Sequence, residues 1–395
     1  MDIKKRINEI YDEIVDIRRD FHKNPELSQQ EFRTQKKIRE YLNSWGIDNY
    51  VCADTGVVAV IRGKKDGKTV GLRGDIDALP ISEKNNCTYC SLIPGVMHAC
   101  GHDAHTAILL GVGKIIREMA DQDENFAGNV KLFFQPAEET IGGGSRMVQE
   151  GCMLNPQVDY MLGLHVMPYI DAGKVELKYG KLNASTDTIQ IKIKGKSAHG
   201  AYPDKGIDAI VIAGNVIVSL QTIASRNISP LNSIVITLGK ISGGVKDNVI
   251  ADEVVISGTL RALDDETRNY AKNRIRDMVT NTCTAFGGQG TVEFTQGYQA
   301  LINNDEIVDV VKENADKLLG RENIVFKEFP SLGAEDFSYF SDVAKGAFFH
   351  LGCGSTERGI SSPLHTECFD IDEECLKIGI NLQVKNILTL LKKGQ

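Results

Sequence analysis

The stretch Gly95-Val-Met-His-Ala-Cys-Gly-His-Asp-Ala-His105 brings together three imidazoles (His98, His102, His105), a thiol (Cys100) and a carboxylate (Asp103). Thiolate and imidazole donors beside a carboxylate select a borderline ion such as zinc. Gly101 lets the backbone fold so that residues 100 and 102 can face one ion. The bland alternative is a small buried thiol beside histidines that cap the apolar run from Ala107 to Ile116.

More donors recur along the chain. Asp75 and Asp77 follow the strand-like Thr69-Val-Gly-Leu-Arg73, at the carboxyl end where open α/β sheets gather their chemistry. Gln135-Pro-Ala-Glu-Glu-Thr140 follows Asn129-Val-Lys-Leu-Phe-Phe134. Two adjacent carboxylates in an extended chain point different ways. One as metal ligand and its neighbour as general base for a water would suit a metal hydrolase. His165 is expected at the end of the strand that begins at Tyr160, and His365 lies in Pro363-Leu-His-Thr-Glu367. Cys100, His102, Glu139, His165 and His365 thus supply five candidate ligands, far apart in sequence as in a catalytic site rather than a compact structural zinc module. If Cys100 bridges, two ions share it.

These residues need a scaffold, and the apolar spacing describes one. Ile3, Ile7, Ile10, Ile14 and Ile17 mark an amphipathic helix over residues 2–22, ended by Asn24-Pro25. A second helix is expected over 28–45, closed by Gly46. Residues 56–62 and 69–73 read as strands of a hairpin at a sheet edge, joined by the turn-rich Gly63-Lys-Lys-Asp-Gly67. A helix to about Met119, the strands at 129–134 and 160–166, and a closing helix over 371–392 complete an α/β pattern. Between residues 183 and 297 the pattern changes to strand, helix, strand, strand, helix, strand, the split unit of ferredoxin-like folds. The expected organisation is a catalytic domain from 1–182 and 298–395 around an inserted α+β domain, 183–297.

At 395 residues, two domains are the natural expectation. A net charge of −8 and the lack of a basic run argue against a nucleic-acid partner. The apolar runs, such as Ala209 to Ile217, read as too short for a membrane span, and the amino terminus does not resemble a secretory signal, so a cytoplasmic protein is expected. Nine scattered cysteines do not form a disulfide framework. Cys87-Thr-Tyr-Cys90 stands alone as a C-x-x-C and reads as a loop feature, with a redox pair or half of a zinc site as the alternatives.

The chain resembles the M20 metallopeptidase superfamily, in its M20D amidohydrolase branch. The resemblance spans essentially the whole sequence and rests on Arg18-Arg-Asp-Phe-His-Lys-Asn-Pro-Glu-Leu27, Arg73-Gly-Asp-Ile-Asp-Ala-Leu-Pro80, Met97–His105, Gln135–Glu139, Gly163-Leu-His165, Gly195-Lys-Ser-Ala-His-Gly200, Asp247-Asn-Val-Ile-Ala251 and Leu364-His365. It implies a zinc-peptidase-like α/β catalytic domain with a ferredoxin-like lid and dimerisation insert. It also implies two divalent ions, zinc by default with Mn2+, Co2+ or Ni2+ as alternatives, held by Cys100, His102, Glu139, His165 and His365. Glu138 matches the general base. Asp77 matches the aspartate that elsewhere orients a metal-ligating histidine two residues before it; that earlier position is Asp75 here, and Cys100 takes the ligand's place. His199 of a partner subunit would polarise the scissile carbonyl, with Asn248 and Arg261 as substrate contacts. The implied reaction is hydrolysis of N-acyl-L-amino acids by a homodimer. A dipeptidase or carboxypeptidase is the nearest alternative; a thiol hydrolase using Cys100, or a metal-binding regulator without turnover, leaves part of the constellation without a role.

Overall fold

A computed structural model describes residues 1–140 and 142–393. The chain divides into two compact units: Met1–Gly180 with Ile302–Phe329 and the segment from Asp336 onward, and Lys181–Leu301 with Pro330–Glu335.

The first unit is built on an eight-stranded mixed sheet, in the order Asp48–Cys52, Gly56–Arg62, Ala127–Gln135, Lys65–Asp75, Tyr160–Asp171, Lys345–Gly354, Val175–Leu177, Ile324–Phe326. Its centre is parallel, from Ala127–Gln135 to Lys345–Gly354. Strands buried on both faces read as continuous apolar runs, and Val57–Ile61 and Val130–Phe134 are buried at every position. The helices Ile3–Lys23, His102–Gln122 and Glu374–Lys392 contribute to the same core. The amino-terminal helix buries Ile7, Ile10, Ile14 and Ile17, the face its spacing marks out, and Gly46 takes the left-handed conformation after the second helix, Phe32–Ser44.

The edge hairpin does not form. Ala127–Gln135 lies between the two strands, antiparallel to Gly56–Arg62 and parallel to Lys65–Asp75. The connecting loop folds onto the start of that intervening strand instead: Gly63 N–H donates to Gly128 O at 2.8 Å, and a Cβ on Gly63 would lie 2.4 Å from the same oxygen. A strand buried on both faces, as Val70–Asp75 is, gains from a neighbour on each side.

The second unit carries a four-stranded antiparallel sheet in the order Ile234–Gly243, Glu253–Ala262, Ser185–Lys194, Gln289–Gln296. Its helices, Ala209–Thr222 and Asp265–Ala285, share one apolar core with Ile189, Ile191 and Ile193. This strand order is that of the ferredoxin-like unit. The first helix is capped by Asp208, whose side chain accepts the Ile210 and Val211 N–H groups, and it ends in a wider turn over Ile223–Asn227. With that turn, Ala209–Asn227 is, among the described residues, one helix long and apolar enough to cross a membrane, longer than the run at 209–217 suggests. Its Ile212, Ala213, Val216 and Leu220 pack in the core, while Ile210, Val211 and Val218 are exposed.

Candidate active site

The helix His102–Gln122 begins immediately after Gly101, which stands at φ +81°. A Cβ there would also meet Val166 Cγ2 at 2.3 Å, so only glycine fits. That bend sets Cys100 and His102 on one side. His102 Nδ1 donates to Asp77, at 2.9 Å to the backbone oxygen and 3.1 Å to Oδ1. With Nδ1 carrying the proton, the ring's Nε2 keeps its lone pair.

His165 is placed the same way. Its strand does not stop at the histidine but runs on to Asp171, and His165 Nδ1 donates to Val166 O at 2.8 Å. Nε2 then faces Cys100 Sγ at 3.4 Å. His365 adopts φ +60°, its N–H held by Ala99 O at 2.9 Å, and its Nε2 lies 3.2 Å from Cys100 Sγ and 3.2 Å from Glu139 Oε1. Glu139 donates its own N–H to Asp77 Oδ2 at 3.1 Å. Asp77 therefore orients two of the candidate ligands at once, and Ser28 Oγ–H donates to its Oδ2 at 2.7 Å.

The five expected side chains converge. The donor atoms of Cys100, His102 and His165 lie within 4.8 Å of one another, as do those of Cys100, Glu139 and His365, and those of His102, Glu138 and Glu139. The two carboxylates of the Glu138-Glu139 pair thus both reach the cluster, rather than one turning away. His102 Nε2 is buried without a hydrogen-bond partner in the protein. Buried polar atoms are rarely left so, and lone pairs converging on one space fit a cation there. The carboxylates make this space strongly negative: burial pulls His102 down, yet Asp75, Asp77 and Glu139 raise it to about 10, so near neutral pH a bound cation would have to displace the Nε2 proton. Burial and the carboxylates of Glu139, Glu138 and Asp75 push the Cys100 thiol well up, so a thiolate at this position requires positive charge beside it.

Asp75 has a different post. Arg73 donates to its Oδ2 at 2.6 Å and His105 Nδ1 to its Oδ1 at 2.5 Å. Despite burial, Arg73, His102 and His105 hold Asp75 far below the usual carboxylate range. His105 Nε2 accepts the Val166 N–H at 2.9 Å, so the pair braces the strand beside His165. His98 stays out of the cluster; burial lowers it to about 4. Cys87 and Cys90 pair with each other.

The remaining expected residues belong to the second unit. His199 is exposed on the short strand Ala198–His199, which pairs with Val249–Ile250 next to Asn248. Its Nδ1 accepts the Ala201 N–H at 3.1 Å, leaving the neutral ring's proton on Nε2. Gly200 N–H bonds to Asn248 O at 2.9 Å. Arg261 lies on a different sheet and donates to Leu332 O at 2.7 Å.

The model of peptidase family M20/M25/M40 matches residues 71–389. The chain belongs to this family. The M20 chain is 40% identical over 365 residues to an N-acetyl-L-cysteine deacetylase of Bacillus subtilis, covering 92% of this chain and 85% of that one. It is 39% identical over 382 residues to thermostable carboxypeptidase 2 of Saccharolobus solfataricus, covering 95% of each. A crystal structure of a Bacillus subtilis protein described as a dinuclear metal-binding peptidase of the M20 family superposes with a TM-score of 0.84, at 31% identity and over 98% of this chain and 99% of that one. The M20 chain is an α/β metal-dependent hydrolase of the amidohydrolase kind.

Three supports of the site had no assigned role: His105, inside the Met97–His105 motif, which holds Asp75; and Ser28 and Glu31, just past the motif ending at Leu27, of which Ser28 holds Asp77 and Glu31 accepts the Ala137 N–H at 2.9 Å.

Proposed function

We propose that this protein hydrolyses the amide bond of N-acyl-L-amino acids to a carboxylate and a free amino acid, with two divalent ions held by Cys100, His102, Glu139, His165 and His365. The observation that carries this reading is the pair of donor triads sharing Cys100, with Glu138 beside them. Zinc suits the thiolate and imidazole set, and Mn2+, Co2+ or Ni2+ could serve the same donors. Bound ions would supply Lewis acidity, acidifying a water and polarising the carbonyl.

The protein's own groups do the rest. Glu138 takes the proton of the attacking water and returns it to the leaving amine. Asp77 keeps His102 in the tautomer that offers Nε2, the usual carboxylate–histidine support of a ligand. His199, with its proton on Nε2, donates to the scissile carbonyl oxygen as charge develops there, and the resemblance assigns this donor to a partner subunit. Asn248 and Arg261 are the proposed substrate contacts. A homodimer formed through residues 183–297 is supported by the exposed Ile210, Val211 and Val218 on one helix and Ile241 on the edge strand.

The carboxypeptidase relative favours a second reading, hydrolysis of short peptides. Amine release from N-acetyl, N-benzoyl and dipeptide substrates, with added Zn2+ or Mn2+ and with a chelator in parallel, separates the two. Chelator-sensitive cleavage of acyl amino acids over dipeptides is expected; faster dipeptide cleavage would install the peptidase reading.

A further inference from the structure

The turn that carries the two carboxylates is held in an unusual shape. Ala137, the residue before Glu138, stands at φ +53°, a left-handed conformation that a residue with a Cβ keeps only when its surroundings hold it. Its carbonyl accepts the N–H groups of Gly142 and Gly143 at 3.1 and 3.3 Å. Its N–H goes the other way, to a carboxylate. Glu31 is fully buried; Oε1 accepts the Ala137 N–H at 2.9 Å and Oε2 accepts the Thr55 hydroxyl at 2.6 Å.

A buried carboxylate spent on one backbone N–H and one hydroxyl is a costly way to satisfy two weak donors. It is explained if what it holds must not move. The direction of the Ala137 peptide sets where Glu138 and Glu139 leave the strand end, and both reach the donor cluster. The neighbouring Ser28 tethers the same region through Asp77, whose Oδ2 also accepts the Glu139 N–H.

We infer that Glu31 is a positioning residue of the catalytic turn: its carboxylate locks Ala137 in the left-handed conformation and thereby aims Glu138 at the water and Glu139 at the ion. The inference rests on the reading of Glu138 as base and Glu139 as ligand, and it adds a residue that touches neither substrate nor ion.

The test compares Glu31→Ala with Glu31→Gln. A glutamine can accept the Ala137 N–H through its amide oxygen while its NH2 donates to Thr55 Oγ1, so it should keep the turn. Two quantities are read on folded protein: kcat and KM for N-acetyl-L-cysteine and N-benzoylglycine at saturating Zn2+, and Co2+ affinity followed by the visible absorption of the thiolate-bound ion. For Glu31→Ala, kcat is expected to fall at least about tenfold with KM within about twofold, and Co2+ affinity to weaken roughly tenfold, the scale of losing a ligand's outer support. Glu31→Gln should stay within about threefold on both. A Glu31→Ala protein with parental kcat and Co2+ affinity, whatever its melting temperature, would reduce Glu31 to a structural role. Should that variant not fold, Thr55→Val decides: a threefold or larger loss of kcat supports the tether, and parental kcat overturns it. Glu138→Gln run alongside keeps the two readings apart. Normal turnover there with a slow Glu31→Ala removes the base assignment and leaves Glu31 as the orienter of Glu139; a slow Glu138→Gln with a normal Glu31→Ala removes Glu31 alone.

Discussion

At the scale of single residues, the protonation of each ring is dictated by what its other nitrogen touches. Because Asp77 and Val166 O accept from Nδ1 of His102 and His165, Nε2 of both rings is the nitrogen turned inward to the cluster. Asp77→Asn can present an NH2 group to His102 Nδ1, which disfavours that tautomer; metal affinity is expected to drop about 10- to 100-fold, measured by competition with a chromophoric chelator. Glu138→Gln should behave differently, keeping its metal content by elemental analysis while kcat falls about 10²- to 10⁴-fold, the range of general acid–base catalysis. The converging donors were legible as a group because thiol, imidazole and adjacent carboxylates are rare in combination. Ser28, Glu31 and His105 were not: each acts through hydrogen bonds to partners distant in sequence, and residue type alone does not reveal those partners.

Among elements, the helix start at Gly101 and the sheet edge illustrate what local pattern carries. Gly101 was readable as a bend, and its left-handed φ with Val166 pressed against it bears that out. Gly101→Ala is expected to cost about 2 kcal/mol or more, from the left-handed conformation and the contact with Val166, seen as a lower melting midpoint. The hairpin misled because turn residues at 63–67 describe the loop but not the strand that slips in from residue 127. A second packing element away from the cluster gives a pH test. Burial opposes its charge, yet hydrogen bonds from His350 and Tyr169 and the charges of His350 and Lys327 lower Glu176 from 4.5 to about 2. A carboxylate with a depressed folded value stabilises the fold above about pH 4.5 and loses that contribution as pH falls towards 2. At roughly 1.4 kcal/mol per unit, the loss is of order 3 kcal/mol. Glu176→Gln should lack this part of the stability change when urea midpoints of the two proteins are compared across that interval.

For the whole molecule, the ferredoxin-like order of the second unit was legible from alternation in Ser185–Lys194 and the spacing of its helices. The helix Ala209–Thr222 carries apolar residues on two faces, one in the core and one exposed, and with the turn to Asn227 its apolar stretch outruns the segment 209–217. If the exposed face joins two copies, Val218→Glu, at a position 70% exposed, should yield a monomer by sedimentation with little loss of thermal stability, and that monomer should lose turnover because His199 of the partner is absent. A fully active monomer would remove the shared-site reading. The identity of the acyl group is written in pocket shape, which residue patterns do not encode. The proposed pair of ions is tested by stripping the protein with a chelator and titrating Zn2+ back while following hydrolysis of an N-acetyl amino acid. Activity is expected to be absent at first and to reach its plateau at two equivalents per chain. Full turnover in the stripped protein, or a plateau at one equivalent, would contradict it.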